Sequence, residues 1–575
     1  MNNVEISWIF LEIADLLEIK GDNPYKIRSY RKAAHMLSTL DQKIQTYWKQ
    51  GKLRELPGIG PALAAKIDEL LKTGNLTYLN NLREEVPIQL RQLLVIPGIG
   101  PRTVHTLYRH LGITSLEQLK AAVLAQQLRR LPGLGTKSEL AIKRALTSKE
   151  YTQGMPLGNA FALASDLAEA LAQLPEVINI ELAGEIRRRE ELVHEAILLF
   201  VTQADKALPV LTTFCSAPYV REILESDSNS AVVQLGIGLQ ARLVAVRPAE
   251  FVTQLCYHTG PTDHWTALVV RAKQHGLALS PTALKDKNEA LVLESEHELY
   301  RYLGLDFIIP ELRQGKNELS AAAGGTLPKS ISIEQIKGDL HLHSNWSDGR
   351  ESIFSMAEAA SKRGYDYIAI TDHSQRLKIA RGLNAQELAA QLDEISIVRA
   401  QFPELMILAG VEVDILKDGR LDLSNEVLAQ LDIVIAAVHS GFNQDEKTMT
   451  QRIITALRNP NVHILAHPSG RLLAKRPPYR VNLDTVLKEA GRQGKILEIN
   501  SSTDRLDLNA NWAAKAKKLG IKLAINTDAH DVQGLSDMEY GVSVARRAGL
   551  EPSDVVNCWP TSYLLEHLRS IRGVT

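Results

Sequence analysis

The chain has 575 residues, too many for one ordinary domain, and its 45% apolar and 23% charged residues exclude wholesale disorder, collagen-like repetition and a membrane-embedded bundle. Its 66 Lys+Arg nearly cancel 67 Asp+Glu, but residues 1–150 hold 22 basic against 14 acidic side chains and the remainder 44 against 53. A basic head suits a polyanion, and an acidic body can supply carboxylates for other work.

No run approaches the roughly 20 apolar residues of a spanning helix, and Glu5, Glu12 and Asp15 stand where a signal peptide carries positive charge. A cytoplasmic protein without membrane contact is therefore expected. Cys215, Cys256 and Cys558 are too few and too scattered for a disulfide framework.

In the head, Leu56-Pro-Gly-Ile-Gly60, Ile96-Pro-Gly-Ile-Gly100 and Leu131-Pro-Gly-Leu-Gly135 repeat one motif, each ahead of an apolar-periodic helix. Gly58, Gly60, Gly98, Gly100, Gly133 and Gly135 allow tight turns with outward N–H groups at a helix N-terminus, a cradle for phosphate. With Arg102, Arg129, Arg130 and Lys137 beside the loops, the expectation is salt-sensitive, sequence-independent DNA binding. The repeats resemble helix-hairpin-helix motifs, which implies an all-α head: a DNA-binding domain at 1–90 and a fingers-like region at 91–150. Upstream, Asn23-Pro-Tyr-Lys-Ile-Arg-Ser-Tyr-Arg-Lys32 interleaves bases and aromatics, and fits either a DNA-end contact or a solvated helix face with two core tyrosines. Together with the first hairpin and Ala65-Lys66-Ile67-Asp68-Glu69, this stretch resembles the N-terminal domain of family X DNA polymerases. In some members the matching lysine is a Schiff-base nucleophile that removes a deoxyribose phosphate. Lys66 holds that place, with a plain phosphate contact as the other role open to it.

Residues 151–315 resemble the α+β palm and thumb of the same family, ending in Ile309-Pro-Glu-Leu-Arg313. Nucleotidyl transfer there needs three carboxylates on adjacent strands to hold two Mg²⁺ ions about 4 Å apart. The family writes Gly-Ser-x-Arg-Arg, then Gly-Asp-x-Asp, then a third Asp on a later strand. This chain has Gly184-Glu185-Ile-Arg-Arg188, His194-Glu195-Ala196-Ile197 and Leu239-Gln-Ala-Arg242. Glu195 alone keeps a carboxylate, Ile197 offers no donor, Arg242 is a cation in the third acid's place, and Glu185 is negative where a triphosphate approaches. A degenerate polymerase site is expected, with Mg²⁺ a cofactor only if the palm were active.

A linker is expected at 316–335, around Ala321-Ala-Ala-Gly-Gly-Thr-Leu-Pro328. Beyond it lie seven apolar strand candidates: 338–343, 367–373, 406–412, 433–439, 462–467, 496–500 and 523–530, each ending in a polar residue. Helical stretches such as 352–363 and 483–493 separate most of them. This alternation predicts a parallel β/α barrel with its chemistry at the strand C-terminal ends. His341, His343, Asp348, His373, Glu412, His439, His467, Asp528 and His530 collect there. Mixed imidazoles and carboxylates suit Mn²⁺, Zn²⁺ or Fe²⁺, and the set suffices for two or three ions. His463, near the start of its strand, is not counted with them, and Asp339 and Asp372 are expected to orient the imidazoles.

The set Asp-x-His-x-His-Ser, Ser-Asp-Gly, Thr-Asp-His, Val-Glu, Val-His-Ser, Ala-His-Pro and Thr-Asp-Ala-His resembles the PHP (polymerase and histidinol phosphatase) domain, here at 336–575. That implies a distorted (β/α)7 barrel that hydrolyses phosphoesters with metal-bound water as the nucleophile, no separate catalytic side chain being assigned. The whole chain is similar to bacterial family X DNA polymerases with a C-terminal PHP domain. The resemblance implies a DNA-repair protein that binds gaps, nicks or 3′ ends without sequence preference and acts as a 3′–5′ exonuclease or 3′-end-processing enzyme, and the departures at Glu195, Ile197 and Arg242 lead to the expectation that its polymerase activity is lost. One alternative is a working gap-filling polymerase. Another is a histidinol-phosphatase-like enzyme of small molecules, against which the hairpins speak, since such a substrate needs no grip on a duplex.

Overall fold

Apolar residues at helical spacing build the start of the chain. In the helix Asn3–Lys20, Ile6, Phe10, Ile13 and Leu17 recur every three or four residues, and all are buried in one core with Ala33, Ala34 and Leu37 of Pro24–Ser38. Helices Pro61–Thr73, Thr77–Glu85, Pro101–Leu111, Leu116–Leu124 and Thr136–Thr147 complete an all-α head. The computed structural model describes residues 3–573 except 39, 41, 87–89, 91–92, 94–95, 97–98, 148–153, 204–205, 218 and 236–237. Two compact units form: Met1–Pro261 with Val269–Leu299, and Thr262–Leu268 with Tyr300–Thr575.

The first unit also holds a five-stranded sheet made of β1 (Asn179–Ala183), β2 (Glu195–Val201), β3 (Val220–Ser226), β4 (Ser230–Leu235) and β5 (Gln240–Val246). Their spatial order is β1-β2-β5-β4-β3, and only β2 and β5 run parallel. Ala183, Leu199, Val244, Val246 and Leu255 pack one face of it.

In the second unit seven parallel strands follow one another in chain order: β6 (Gly338–Leu342), β7 (Tyr367–Ile370), β8 (Met406–Asp414), β9 (Ile433–Ala437), β10 (Ile464–Leu465), β11 (Ile496–Asn500) and β12 (Leu523–Asn526). They are buried almost throughout, as strands covered on both faces must be. A bridge from Leu342 to Ala529 nearly closes the barrel. Ser352, Asn384, Asp445, Asn482 and Asn509 each accept backbone N–H groups at the start of a following helix, which explains why the chain turns from strand to helix where it does. The last helix, Thr561–Ile571, shares a core with Tyr367, Ile433, Ile464 and Ile496, the first residues of four strands. It therefore stops the strand N-terminal end and leaves the other rim free. β10 is shorter than the expected 462–467, because the backbone already turns at His467, whose φ is +28°.

Residues 316–335, expected as a linker, are packed. They hold the helix Glu318–Ala323, and Glu318, Ala322 and Ile331 are buried. Glu318 shares a 2.9 Å hydrogen bond with His264 Nδ1 and accepts the N–H groups of Gly315 and Lys316 at 2.6 and 2.7 Å. Gly- and Ala-rich composition hid a strap held in part by a buried acid. No helix among the described residues is long and apolar enough to cross a membrane, and all three cysteines are free.

Candidate metal centre and nucleic-acid interface

Parallel strands deliver their C-terminal residues to one rim, and short overhangs carry the polar side chains just past the ladder. His341 and Glu412 sit within β6 and β8, while His343, His373, His439, His467 and Asp528 lie one to three residues beyond their strands. Glu412 is the hub. Its Oε1 lies 3.1 Å from His439 Nε2 and 3.0 Å from His467 Nε2, and its Oε2 lies 2.7 Å from His373 Nδ1 and 3.5 Å from His341 Nε2. Asp528 Oδ1 is 3.0 Å from His343 Nε2, and Asp348 Oδ1 is 3.3 Å from His530 Nε2 and 3.5 Å from His373 Nε2. All nine expected residues are thus brought together. Three overlapping groups have donor atoms within reach of a shared ion: His343, Asp348, His373 and His530; His341, His343 and Asp528; and His373, Glu412 and His439.

Hydrogen bonding accounts for only part of this convergence, such as the 3.0 Å contact of His467 Nε2 with Glu412 Oε1. His341 Nε2, both ring nitrogens of His343, His373 Nδ1 and Glu412 Oε2 are buried and make no hydrogen bond. Orphaned donors and acceptors aimed at one another are costly in a folded interior and become satisfied once divalent cations stand between them. The residues present fit such ions. His467 and Asp528 also adopt positive φ, +28° and +58°, so the backbone bears strain at two of these positions.

Burial is the largest influence on the charge of each group and favours the neutral form. It prevails at His343, pressed down to about 3 with His530 and His373 adding repulsion. At His439 burial is outweighed by Glu412 and Asp414, and at His530 by Asp348 and Asp528, so that both imidazoles rise to about 9. Surrounding imidazoles likewise overcome burial at Glu412 and Asp528 and hold both carboxyls well below their ordinary range.

Asp339 and Asp372 do not orient imidazoles. Asp339 accepts from the backbone of His341 and from the Thr527 N–H and hydroxyl, and Asp372 holds Ser344, Ser347 and Gln391. They hold the segments beside the cluster, Asp339 joining His341 to Thr527 and Asp372 gathering Ser344, Ser347 and Gln391. The sequence reading missed Glu498, wholly buried in β11, whose Oε1 lies 2.7 Å from His341 Nδ1 and so leaves Nε2 to face the cluster. A lone acid in the apolar run Ile496-Leu-Glu-Ile was its signal. His463 stays apart, accepting the Val434 N–H at 3.0 Å.

In the five-stranded sheet, β2 and β5 align Ile197 opposite Arg242. Arg242 Nε lies 3.0 Å from Glu195 Oε1, and its Nη1 lies 3.7 Å from Glu225 Oε2. Ile197 packs on Gly184, where an added Cβ would lie 2.9 Å from Ile197 Cδ1. Glu185 turns back to accept the His194 N–H at 2.6 Å.

In the hairpins, Leu56, Ile59, Ile96, Ile99 and Leu134 are buried, while Gly58, Gly60, Gly100, Gly133 and Gly135 are exposed. Gly58 and Gly133 have φ of +82° and +76°, which a side chain would strain. Open space surrounds all five. Gly98 and the side chain of Lys137 lie outside the described residues. Arg102 and Arg130 are exposed, but Arg129 is committed to buried Glu139, 2.6 Å away, and is no free phosphate donor. Lys66 Nζ sits 4.7 Å above the Tyr78 ring, and burial together with Lys26 lowers its pKa.

Comparison with known proteins places family models along the chain: a helix-hairpin-helix domain at 1–76, a SAM-like helix-hairpin-helix tandem at 90–148, a DNA polymerase beta thumb at 254–314 and a PHP domain at 339–502. The chain is 38% identical over 562 residues to the DNA polymerase/3'-5' exonuclease PolX of Bacillus subtilis (strain 168), covering 97% of each chain. A probable phosphatase of Thermoanaerobacter sp. (strain X514) is 32% identical over 249 residues, 41% of this chain and 97% of its own length. One from Shewanella oneidensis is 28% identical over 253 residues, 42% of this chain and 93% of its own length.

Proposed function

This chain belongs to the bacterial family X DNA polymerases that carry a C-terminal PHP domain, and we propose that it processes DNA 3′ ends in the barrel while its palm no longer extends primers. It is a metal-dependent phosphoesterase that binds DNA, and the reading specifies the substrate, gapped, nicked or free 3′ ends, and the direction, 3′ to 5′. The observation that carries it is the set of buried, hydrogen-bond-free ring nitrogens of His341, His343 and His373 gathered around the equally unbonded Glu412 Oε2.

His341, His343, Asp348, His373, Glu412, His439, His467, Asp528 and His530 would hold two or three ions, with Mn²⁺, Zn²⁺ or Fe²⁺ favoured by the donor mixture. Such ions supply an activated water and offset charge on the phosphate oxygens. Glu412 and Asp528, anionic among imidazoles, set the spacing of the donors, and Glu498 keeps His341 facing inward. Asp348 and His530, each 35% exposed, line the open side by which a phosphoester enters. Arg505 Nε, 3.6 Å from Asp528 Oδ2, adds positive charge beside that entry.

Loss of polymerase activity is supported by the Arg242–Glu195 pair and by Ile197, since at these three positions the one carboxylate is engaged by a guanidinium and its neighbour offers no donor. Lys66, with its lowered pKa, is suited to a phosphate contact or to attack on a sugar aldehyde. In this reading the head spans 1–150, the palm and thumb 151–315 and the barrel 336–575. A 5′-labelled gapped duplex incubated with Mn²⁺ and no nucleotides tests the reading. Stepwise shortening from the 3′ end is expected, and a label unchanged with Mn²⁺, Zn²⁺ and Fe²⁺ alike would refute it.

A further inference from the structure

The loop after His373 projects from the barrel rim as a short, firmly held finger. It leaves at His373 and returns there, since the Leu383 N–H donates to the His373 carbonyl at 2.8 Å. Its base is tied to Asp422 by the Ser374 hydroxyl at 2.7 Å, the Gln375 amide at 2.6 Å and the Arg376 N–H at 2.8 Å. Ala380 and Leu383 are buried, and a Cβ on Gly382 would lie 1.9 Å from the Ser374 carbonyl oxygen, so only glycine permits the closure.

The outer part of this finger is unlike its base. Ile379 is 93% exposed, and Arg376, Lys378 and Arg381 around it are exposed and form no ion pair among the described residues. A lone exposed apolar residue is ordinary. An isoleucine held out on a hydrogen-bonded loop, flanked by three unpaired cations and rooted at a member of the metal centre, has the chemistry of a nucleic-acid wedge: cations for phosphates and an apolar tip for a base step. The finger is rooted beside a recessed centre, where His341 and His343 are wholly buried and Glu412 is 1% exposed, and a separated strand is slimmer than a duplex end.

We propose that Ile379 wedges apart the terminal base pairs of a DNA duplex while Arg376, Lys378 and Arg381 grip the flanking phosphates, so that a single 3′ strand enters the metal centre. The proposal rests on DNA-end hydrolysis in the barrel, and its test separates the two. The full-length parent and Ile379→Ser are given one 5′-labelled strand in three forms: single-stranded, fully paired, and paired with mismatched terminal pairs. The variant should cut the single-stranded and mismatched forms at the parental rate and the paired form about tenfold more slowly. In a second arm, with Ca²⁺ replacing Mn²⁺ and 2-aminopurine at the paired 3′ terminus, fluorescence should rise on binding the parent and not the variant. Equal digestion of paired ends by both proteins, or an equal loss on all three substrates, would overturn the wedge. Should the parent digest no DNA at all, end hydrolysis falls, and the fluorescence arm alone judges the wedge: no rise with the parent overturns it.

Discussion

Arg242 reaches diagonally across the two parallel strands of the five-stranded sheet to Glu195, guanidinium Nε 3.0 Å from carboxylate Oε1. On the proposed alignment with the family's palm, the ion pair falls where metal-binding acids of a nucleotidyl-transfer site would stand, and it engages the Glu195 carboxylate. Both side chains are about a quarter to a third exposed, so the pair contributes little to stability, about 0.5 kcal/mol. Arg242→Ala should therefore change thermal stability only slightly. It should also fail to confer primer extension, since Ile197 still offers no second ligand. A polymerase assay on the variant checks both halves when paired with a melting curve.

The metal centre should respond to substitution in two grades. His341→Ala with His343→Ala removes donors from overlapping ion sites and should abolish DNA hydrolysis. Glu498→Gln keeps the shape but weakens the hold on His341, and should cost about 10–100-fold in metal affinity or activity. Metal titration of the purified variants, followed by initial rates, distinguishes the grades. Equal rates for Glu498→Gln and the parent would show that the His341–Glu498 contact has no functional weight.

Hairpin recognition of phosphate predicts that duplex affinity falls steeply with salt and is indifferent to sequence. Gly58→Val with Gly133→Val puts side chains where φ is +82° and +76°, and should weaken duplex binding about tenfold or more while leaving hydrolysis of a small phosphodiester unchanged. Anisotropy titrations across a salt series measure the slope as well as the affinity. An unchanged slope would move the DNA grip elsewhere in the chain.

Glu318 gives a pH dependence with a definite sign. Burial would raise its carboxyl, but His264 and the backbone amides of Gly315, Lys316 and Glu318 itself bring it down to about 2, against 4.5 for a free side chain. Its stabilisation is therefore complete above pH 4.5 and is lost as pH falls toward 2, an effect of up to about 3 kcal/mol. Glu318→Gln should melt earlier than the parent at neutral pH and show a flatter decline between pH 4.5 and 2.5. Parallel decline of both proteins would exclude Glu318 as the source.

Particular residues show what could be read from the sequence. The gathering of polar residues at the barrel rim was legible because strand periodicity sets each of them at the same end of successive strands, and His341, His373, His439 and His467 needed only that rule to be placed on one rim. The pairing register of Ile197 with Arg242 and the 3.0 Å contact of Arg242 with Glu195 were not legible, since they depend on how two strands far apart in the chain are aligned. Glu498 was hidden because a buried acid in mid-strand looks like any strand residue until its partner from β6, far away in the chain, is placed beside it. The strap at 316–335 misled because its composition reports flexibility, whereas its order comes from burial of Glu318, Ala322 and Ile331 and from contacts to residues distant in sequence, among them Glu318 with His264 and the Ile331 carbonyl with Arg546. Asp339 and Asp372 lie near ligands in sequence, but a carboxylate one or two residues from a ligand on a strand points toward the neighbouring backbone as readily as toward the ring.

The most direct measurement is a 5′-labelled primer in a gapped duplex, incubated with Mn²⁺ or Mg²⁺ and all four nucleotides, comparing the parent with His341→Ala/His343→Ala. A silent palm and a working barrel require that the parent only shortens the primer and that the double variant leaves its length unchanged. Template-directed lengthening by either protein would contradict the account, and lengthening by the double variant, in which digestion cannot mask synthesis, would do so most plainly.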